Sequence, residues 1–259
     1  MRSKILGTLF LLLLPLPLSS VFFSLTPLTV NISSVVHVSQ LLAPGMAPVP
    51  ITFQIINLGS PLFDVNITPI SSYPLSPYNY YNSTENITIP ELSTEASINA
   101  TFLYKISPSA SDGVYKVYVE VSGKLPNGTI ISKNVSSVLP ILGYVSLSAQ
   151  SLWGSLSSPL VVSGGETNLP LTIVLINTGN VIVSNATVIL RSEYPVKFQS
   201  SSISVGYLPI GQPVEVTTYA SIYPNVSEGV YVVPIIVEYF NGVKQTVNMT
   251  IPINGYTNF

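Results

Sequence analysis

Hydrophobic and polar side chains alternate with a period of two along several segments of the chain. From Tyr115 to Val121 every second residue is apolar or aromatic, whereas Lys116 and Glu120 fall on the opposite face. Residues 51–57 and 171–177 are rich in β-branched side chains, and each segment is followed by a turn with glycine. No segment after residue 20 shows the period of an amphipathic helix, so the pattern predicts an all-β fold.

The second half of the chain repeats landmarks of the first half. The repeated pairs are Gly45 and Gly165, Pro50 and Pro170, Asn57 and Asn177, Gly59 and Gly179, Tyr73-Pro74 and Tyr194-Pro195, Tyr115 and Tyr231, and Pro140-Ile141 and Pro252-Ile253. Their spacing drifts between 121 and 112 positions, as two copies with different loop lengths would give. Several short strands per copy predict two tandem immunoglobulin-like antiparallel β-sandwich domains, at 25–142 and 143–254.

One landmark, Pro-x-x-Ser-acid-Gly-Val-Tyr, occurs once in each copy, at 108–115 and 224–231. This spacing is similar to the tyrosine corner of immunoglobulin-like sandwiches, in which the hydroxyl bonds back to a neighbouring turn. We expect the tyrosines to pack inward and the glycines to hold a backbone conformation that other residues resist. The predicted corner residues are Gly113, Tyr115, Gly229 and Tyr231.

The second copy carries two further local signals. Asn241-Gly242, between two alternating segments, predicts a hairpin with a two-residue type I′ turn. Pro234 falls on the outer face of the preceding segment and indicates a bulge or a sheet edge, because proline donates no hydrogen bond to a ladder.

Residues 1–20 have the pattern of a secretory signal peptide. Arg2 and Lys4 precede an apolar segment, Ile5–Leu18, and the small residues Ser19 and Ser20 follow it. We expect cleavage near Ser20 and an extracellular or cell-surface location. The alternatives are an uncleaved anchor and processing at an earlier glycine, so membrane contact is expected only through this segment or through an anchor beyond the last residue.

Asn-x-Ser/Thr sequons, which accept N-linked glycans, are frequent. They begin at Asn31, Asn66, Asn82, Asn86, Asn99, Asn127, Asn134, Asn185, Asn225 and Asn248. The frequencies of these residue types would give about four by chance. Together with the signal peptide, the excess predicts covalent N-glycans on an exported protein, although these residue types are also common in turns.

Composition narrows the possible chemistry. Only 8% of residues are charged and the net charge is −2, which argues against a nucleic-acid or polybasic membrane surface. The chain contains no cysteine, which excludes disulfides and thiolate chemistry. The single histidine, His37, lies in an alternating segment and is expected to face solvent. The carboxylates are scattered, so we predict no catalytic residue, no cofactor, no metal site and no enzymatic activity.

The low charge also suggests a response to pH. Surface ion pairs are lost when carboxylates are protonated, whereas hydroxyls, amides and sugars do not titrate in acid. We therefore expect the fold to tolerate strongly acidic surroundings.

The landmarks together resemble the immunoglobulin-like repeats of archaeal S-layer-associated surface proteins, which are related to CARDB-type cell-adhesion modules. The motifs are Ile-x-Asn-x-Gly (55–59, 175–179), Tyr-Pro, Leu-Pro-x-Gly (208–211) and Ser-acid-Gly-Val-Tyr. The resemblance implies extracellular scaffolding, including stalk subunits that tether an S-layer to the membrane. It also implies the S-layer lattice protein or like subunits as partners. The coiled coil and membrane helix of such stalks have no counterpart in residues 21–259.

Two alternatives stay open from the sequence. Residues 28–38 could complete the sheet of a neighbouring copy, which would make the chain a filament subunit. Tyr78, Tyr80 and Tyr81 lie in an irregular, proline-rich segment and could stack on sugars in a carbohydrate-binding module. Pro-Ile-x-Gly-Tyr occurs at 140–144, where the second copy opens, and again at 252–256. Residues 255–259 are therefore expected to be a tail or the start of a further unit.

Overall fold

The computed structural model describes residues 27–79, 85–240 and 242–254, and all of their regular structure is β. The all-β prediction is therefore confirmed for this part of the chain, which contains no helix that could cross a membrane. The predicted signal peptide, the sequon at Asn82, Tyr80, Tyr81 and the tail at 255–259 lie outside the described residues.

The first strand group (residues 27–142) contains eight strands in two antiparallel sheets. They are β1 (Ile32–His37), β2 (Val49–Asn57), β3 (Leu62–Pro69), β4 (Leu75–Pro77), β5 (Ile87–Leu92), β6 (Ser97–Ile106), β7 (Gly113–Lys124) and β8 (Ile130–Ile141). The sheet orders are β1-β2-β6-β4 and β5-β3-β7-β8. Alternate side chains of both sheets, such as Phe53 and Val119, are buried in one core between them.

The second strand group (residues 143–254) contains nine strands around its own core. They are β9 (Leu147–Ser155), β10 (Ser158–Pro159), β11 (Leu169–Asn177), β12 (Val183–Ile189), β13 (Val196–Phe198), β14 (Ser202–Leu208), β15 (Pro213–Ile222), β16 (Gly229–Tyr239) and β17 (Val243–Ile253). Their order is β13-β15-β11-β9-β17-β16-β12-β14, with β10 paired to β9.

The second group repeats the six strand pairings of the first group and adds two more, β9 with β10 and β9 with β17. Ile32 of β1 lies opposite Asn57, and Leu147 of β9 lies opposite Asn177, so these ladders match in register. In the second group, β9 also pairs in parallel with β17 at Ala149 and Met249, which joins both halves into one continuous sheet. In the first group, β1 and β8 are linked by the Ser34 and Ser137 hydroxyls, 2.5 Å apart.

Both local signals of the second copy can be located. The ladder of β16 and β17 continues without a shift through Pro234, while β12 pairs only with Ile236–Glu238, so Pro234 lies where one side of β16 is unpaired. The last pair of the hairpin is Tyr239 and Val243, so three residues connect the strands and not the two predicted. The Gly242 amide donates to the Tyr239 carbonyl across this turn, at 3.1 Å.

A buried asparagine explains the Ile-x-Asn-x-Gly motif. The Asn57 side chain, 1% exposed, donates from Nδ2 to the Leu92 carbonyl at 2.9 Å, and its Oδ1 accepts the Gly59 amide at 3.0 Å. Asn57 ends β2 of one sheet and Leu92 ends β5 of the other, so this amide ties the two sheets together. We call this arrangement the asparagine bracket.

The same bracket closes the second group. Asn177 is fully buried, donates to the Leu208 carbonyl at 3.2 Å and accepts the Gly179 amide at 3.0 Å. A Cβ on Gly59 would lie 2.5 Å from the Thr29 carbonyl, so only glycine lets the chain before β1 approach this closely. Gly179 is confined in the same way by the chain before β9.

The bracket predicts opposite effects of two substitutions. The Glu95 amide donates to the Asn57 carbonyl, and the Gly211 amide donates to the Asn177 carbonyl, each at 2.7 Å. Glu95 has a φ of 63° and Gly211 has a φ of 69°. Because a left-handed backbone conformation disfavours residues with a Cβ, Glu95→Gly should stabilise the fold by about 0.5–1 kcal/mol. Gly211→Ala, whose Cβ would meet no atom within 4 Å, should destabilise it by about 1 kcal/mol. Urea unfolding midpoints measure both effects, and a neutral Gly211→Ala would contradict the assigned strain.

The core predicts a one-sided dependence of stability on pH. The buried polar side chains of the described residues are amides and hydroxyls, and both ion pairs found there, Lys124–Asp64 and Lys244–Glu238, are exposed. Such pairs contribute about 0–1 kcal/mol each, so acidification from neutral to about pH 2 should change the unfolding midpoint little. Burial raises the pKa of Tyr104 and of Tyr239 above the ordinary 10.0. The stability that these neutral phenols contribute is complete below pH 10 and is lost as the pH rises above it.

Tyr104→Phe provides the matched variant for this prediction. The Tyr104 hydroxyl is buried without a hydrogen-bond partner, so the substitution removes a titrating group and breaks no described bond. The alkaline loss of stability should become smaller and the acid limb should stay unchanged. A steep fall of the midpoint between neutral pH and about pH 4 would show that a carboxylate matters more than its exposure indicates.

Candidate functional site

The described residues place the single histidine away from any reactive cluster. His37 is exposed on β1, with Nε2 3.5 Å from Gln54 Oε1. No group of three or more potential metal ligands occurs within the described ranges. A surface groove of about 710 Å³ lies at the start of the first group and is lined by uncharged residues, including Leu28, Leu58 and Asn127. It has no histidine or carboxylate in its wall.

The sequon asparagines are mostly accessible. Eight of the nine in the described ranges have exposed side chains: Asn31, Asn86, Asn99, Asn127, Asn134, Asn185, Asn225 and Asn248. Asn66 differs because it is half-buried on β3, with Nδ2 3.4 Å from Thr68 Oγ1 and its Oδ1 buried without a partner. A sugar could therefore be attached at the eight exposed positions without opening the fold.

Each predicted tyrosine corner contains a second tyrosine. The Tyr115 hydroxyl donates to the Ser111 carbonyl at 2.7 Å, and its ring meets Tyr73 edge-on with centroids 6.0 Å apart. In the second group, Tyr231 donates to the Ser227 carbonyl at 2.9 Å, and its ring meets Tyr194 at 5.8 Å. Both corner tyrosines are half-buried against their cores. The repeated Tyr-Pro landmark was the sequence signal for these partners.

The corner glycines differ from the expectation. Gly229 has a φ of 154°, whereas Gly113 has no positive φ. A Cβ on Gly113 would meet only Tyr115 Cε2, at 3.8 Å, which is an ordinary contact. The prediction that both glycines hold a conformation closed to other residues is therefore wrong for Gly113, whose backbone is that of a normal strand start.

The second corner is more aromatic than the first. The hydrogen bond with the Tyr194 side chain raises the pKa of Tyr231 above its ordinary value. A third ring, Tyr223, lies 6.4 Å from Tyr194 with planes 30° apart. Sequence reasoning missed Tyr223 because it does not belong to the repeated landmark.

The junction between the two groups is a packed contact. Ala43, 1% exposed, lies in the core of the second group, and Met46 packs against both cores. The Gly143 amide donates to the Leu42 carbonyl at 2.7 Å, and Asn180 Nδ2 donates to the Leu142 carbonyl at 3.1 Å. The sequence placed the boundary between the copies at residues 142 and 143 and did not indicate that the loop at 40–46 would contact the second copy.

Glycines make this contact possible. Gly45 has a φ of 83°, and a Cβ there would overlap the Val243 side chain. A Cβ on Gly143 would lie 2.6 Å from the Leu42 carbonyl oxygen and 2.6 Å from Val181 Cγ1. The equivalent loop of the second group has Gly165 at a φ of 88°, so the same backbone bend recurs there.

The fold and these features define an all-β protein of packed antiparallel sheets. No protein-family model matches the chain, and no curated protein matches it. A tetra-tandem repeat from the extending region of a large adhesion protein aligns with 87% of this chain and 50% of its own, at 12% identity and a TM-score of 0.32. A protein from Corynebacterium diphtheriae described as membrane anchored aligns with 86% of this chain and 59% of its own, at 10% identity and a TM-score of 0.27.

The alignment with an enzyme has a TM-score of similar size. Red sea bream transglutaminase aligns with 90% of this chain and 32% of its own, at 12% identity and a TM-score of 0.28. The chain thus spans between about a third and three fifths of these proteins. At these TM-scores the likenesses carry no conclusion about function.

The junction predicts that Gly143→Ala loosens the connection between the groups. The new Cβ cannot fit against Leu42 and Val181, so the Gly143–Leu42 hydrogen bond should break while both cores stay folded. Since the chain has no cysteine, spin labels on Val138→Cys and Val232→Cys, both exposed positions, report the distance between the groups. We expect a broader distance distribution.

Gly128→Ala is the control for this measurement. Gly128 also has a positive φ, 84°, but it lies in the β7–β8 hairpin with no atom within 4 Å of the added Cβ. This variant should leave the distances between the labels unchanged. Equal distributions for Gly143→Ala and the parent chain would show that the junction does not depend on this close approach.

Proposed function

We propose that this chain is an exported, non-enzymatic structural glycoprotein of the cell surface that acts as a spacer. The observation that carries the proposal is the junction, in which the loop of one strand group is buried in the core of the next. Such a contact limits bending between the groups, as a spacer requires.

The direction of the strands supports an end-to-end arrangement. In the first group, the end that carries Gly113 and Pro108 faces the second group, whereas Lys124 and Asn127 lie at the opposite end of the β7–β8 hairpin. A strand of 12 residues spans about 40 Å. Two groups in line would therefore hold their outer ends about 80 Å apart.

The surface suits an exterior location. Eight sequon asparagines are exposed, and the two described ion pairs contribute little to the fold. N-glycans on these residues would give a hydrated, uncharged surface whose properties are independent of pH.

At a finer level, we propose an association with an archaeal S-layer, as a stalk or spacer. This assignment rests on the resemblance of the repeated motifs and predicts the S-layer lattice protein or like subunits as partners. Membrane attachment would occur through the N-terminal segment or through an anchor beyond the last residue. The filament alternative requires a donated strand, but in this structure β1 pairs with β2 of its own sheet along its whole length.

Fractionation of the native cells tests this proposal. A chain tagged on an exposed loop should sediment with the surface lattice, begin near residue 21 and carry sugars detectable by mass spectrometry. Recovery in sheared filaments would favour the filament alternative. Recovery in the cytosol with an intact N-terminus would refute the surface function.

A further inference from the structure

The turn that precedes the second tyrosine corner is held in place on several sides. The Val226 amide donates to the Tyr223 carbonyl at 3.3 Å and closes the turn. The Gly165 amide donates to the same carbonyl at 3.2 Å, and the Tyr223 amide donates to the Pro195 carbonyl at 3.1 Å. Because its main chain is bonded to two other segments, this turn presents its side chains in a fixed arrangement.

A sequon is built into this turn. Asn225 is the third residue of the turn at 223–226, and it is exposed. Ser227 completes the sequon, and its carbonyl accepts the hydrogen bond of the corner residue Tyr231 at 2.9 Å. A sugar on Asn225 would therefore be attached to a rigid part of the fold.

Tyr223 offers an aromatic surface beside this sequon. Its side chain is 40% exposed, although the neighbouring ring of Tyr194 lies 6.4 Å away and covers part of it. An exposed aromatic ring attracts the C–H groups of a sugar ring because its face is electron-rich and apolar. Tyr223 and Asn225 are the first and third residues of the same turn, and both are exposed.

The first strand group provides an internal comparison. Its equivalent turn is closed by the Ala110 amide and the Ser107 carbonyl at 3.1 Å, and it leads to the same corner with Tyr115 and Tyr73. Ser107 takes the place of Tyr223, and Ser109 takes the place of Asn225. The corner does not need the aromatic ring, and the ring occurs only where the sequon occurs.

We propose that Asn225 is an occupied glycosylation site and that the first sugar of its glycan packs on the exposed face of Tyr223. In the transfer step, the Asn225 Nδ2 atom forms a bond to the anomeric carbon of a lipid-linked oligosaccharide. Nδ2 loses one proton, and the lipid phosphate leaves with the electron pair of the broken C–O bond. The cell supplies the activated oligosaccharide and the transferase, so the inference rests on the proposed export.

A comparison of four proteins tests the packing. The parent chain and Tyr223→Ser are each purified from glycosylating cells, with and without Asn225→Gln. Loss of the Asn225 sugar should lower the melting temperature of the parent by about 2–4 °C. The same loss should leave the melting temperature of Tyr223→Ser unchanged. The serine of the first group at this position indicates that Tyr223→Ser will fold. Asn248→Gln, which removes an exposed sequon on β17, is the control and should show no dependence on residue 223.

Direct contact has a separate readout. In the parent glycoprotein, NMR should show the protons of the first sugar shifted upfield by the ring current of Tyr223, and Tyr223→Ser should abolish this shift. The double substitution Ser107→Tyr and Ser109→Asn completes a sequon with Ser111 and should transfer the same coupling to the first group.

Two outcomes would overturn the inference while the proposed surface function stands. One is an unmodified Asn225 in a protein whose other exposed sequons carry sugar. The other is an equal effect of the Asn225 sugar with tyrosine and with serine at position 223. A protein without any sugar that is found in the cytosol would overturn the proposed function as well.

Discussion

In each strand group, one buried amide connects the two halves of the sandwich at one end. A buried carboxamide that lacks a partner costs about 1–3 kcal/mol, so Asn57 and Asn177 hold the chain in the arrangement that satisfies them. Their partners come from the ends of β5 and β14 and from the glycine two residues further along. The bracket thereby links the end of β2 to the end of β5, or the end of β11 to the end of β14, beside the point where β1 or β9 enters. In the second group, the end of the fold that carries Asn177 also contacts the first group, through Gly143 and Asn180. The bracket that closes this end therefore also shapes the surface of the junction.

The junction joins two cores. The short connection at 142–144 keeps the two surfaces at a high effective concentration. The buried Ala43 and the shared contacts of Met46 then orient one group on the other. Glycine is needed at Gly143 because the backbone of one group touches the other directly. In the proposed spacer, stiffness would come from this packing, because a chain without cysteine can form no disulfide.

The two corners show how one local motif can acquire a second role. In both groups a tyrosine hydroxyl fixes a turn, and a second tyrosine packs edge-on against it. Only in the second group do a further ring, Tyr223, and a sequon extend this cluster to the surface.

The sequence alone determined the strand pattern, the repeat and the tyrosine corners, because alternation of side chains and the spacing of turn residues are local properties. It also indicated the exposed sequons, since most of them lie in turns or on the outer face of strands. Tertiary structure decided the parallel contact of β9 with β17, the approach of Gly45 to Val243 and the left-handed backbone of Glu95. It also placed Tyr223 beside Tyr194. These features depend on segments that are far apart in the chain and meet only when the sheets pack, so no local pattern encodes them.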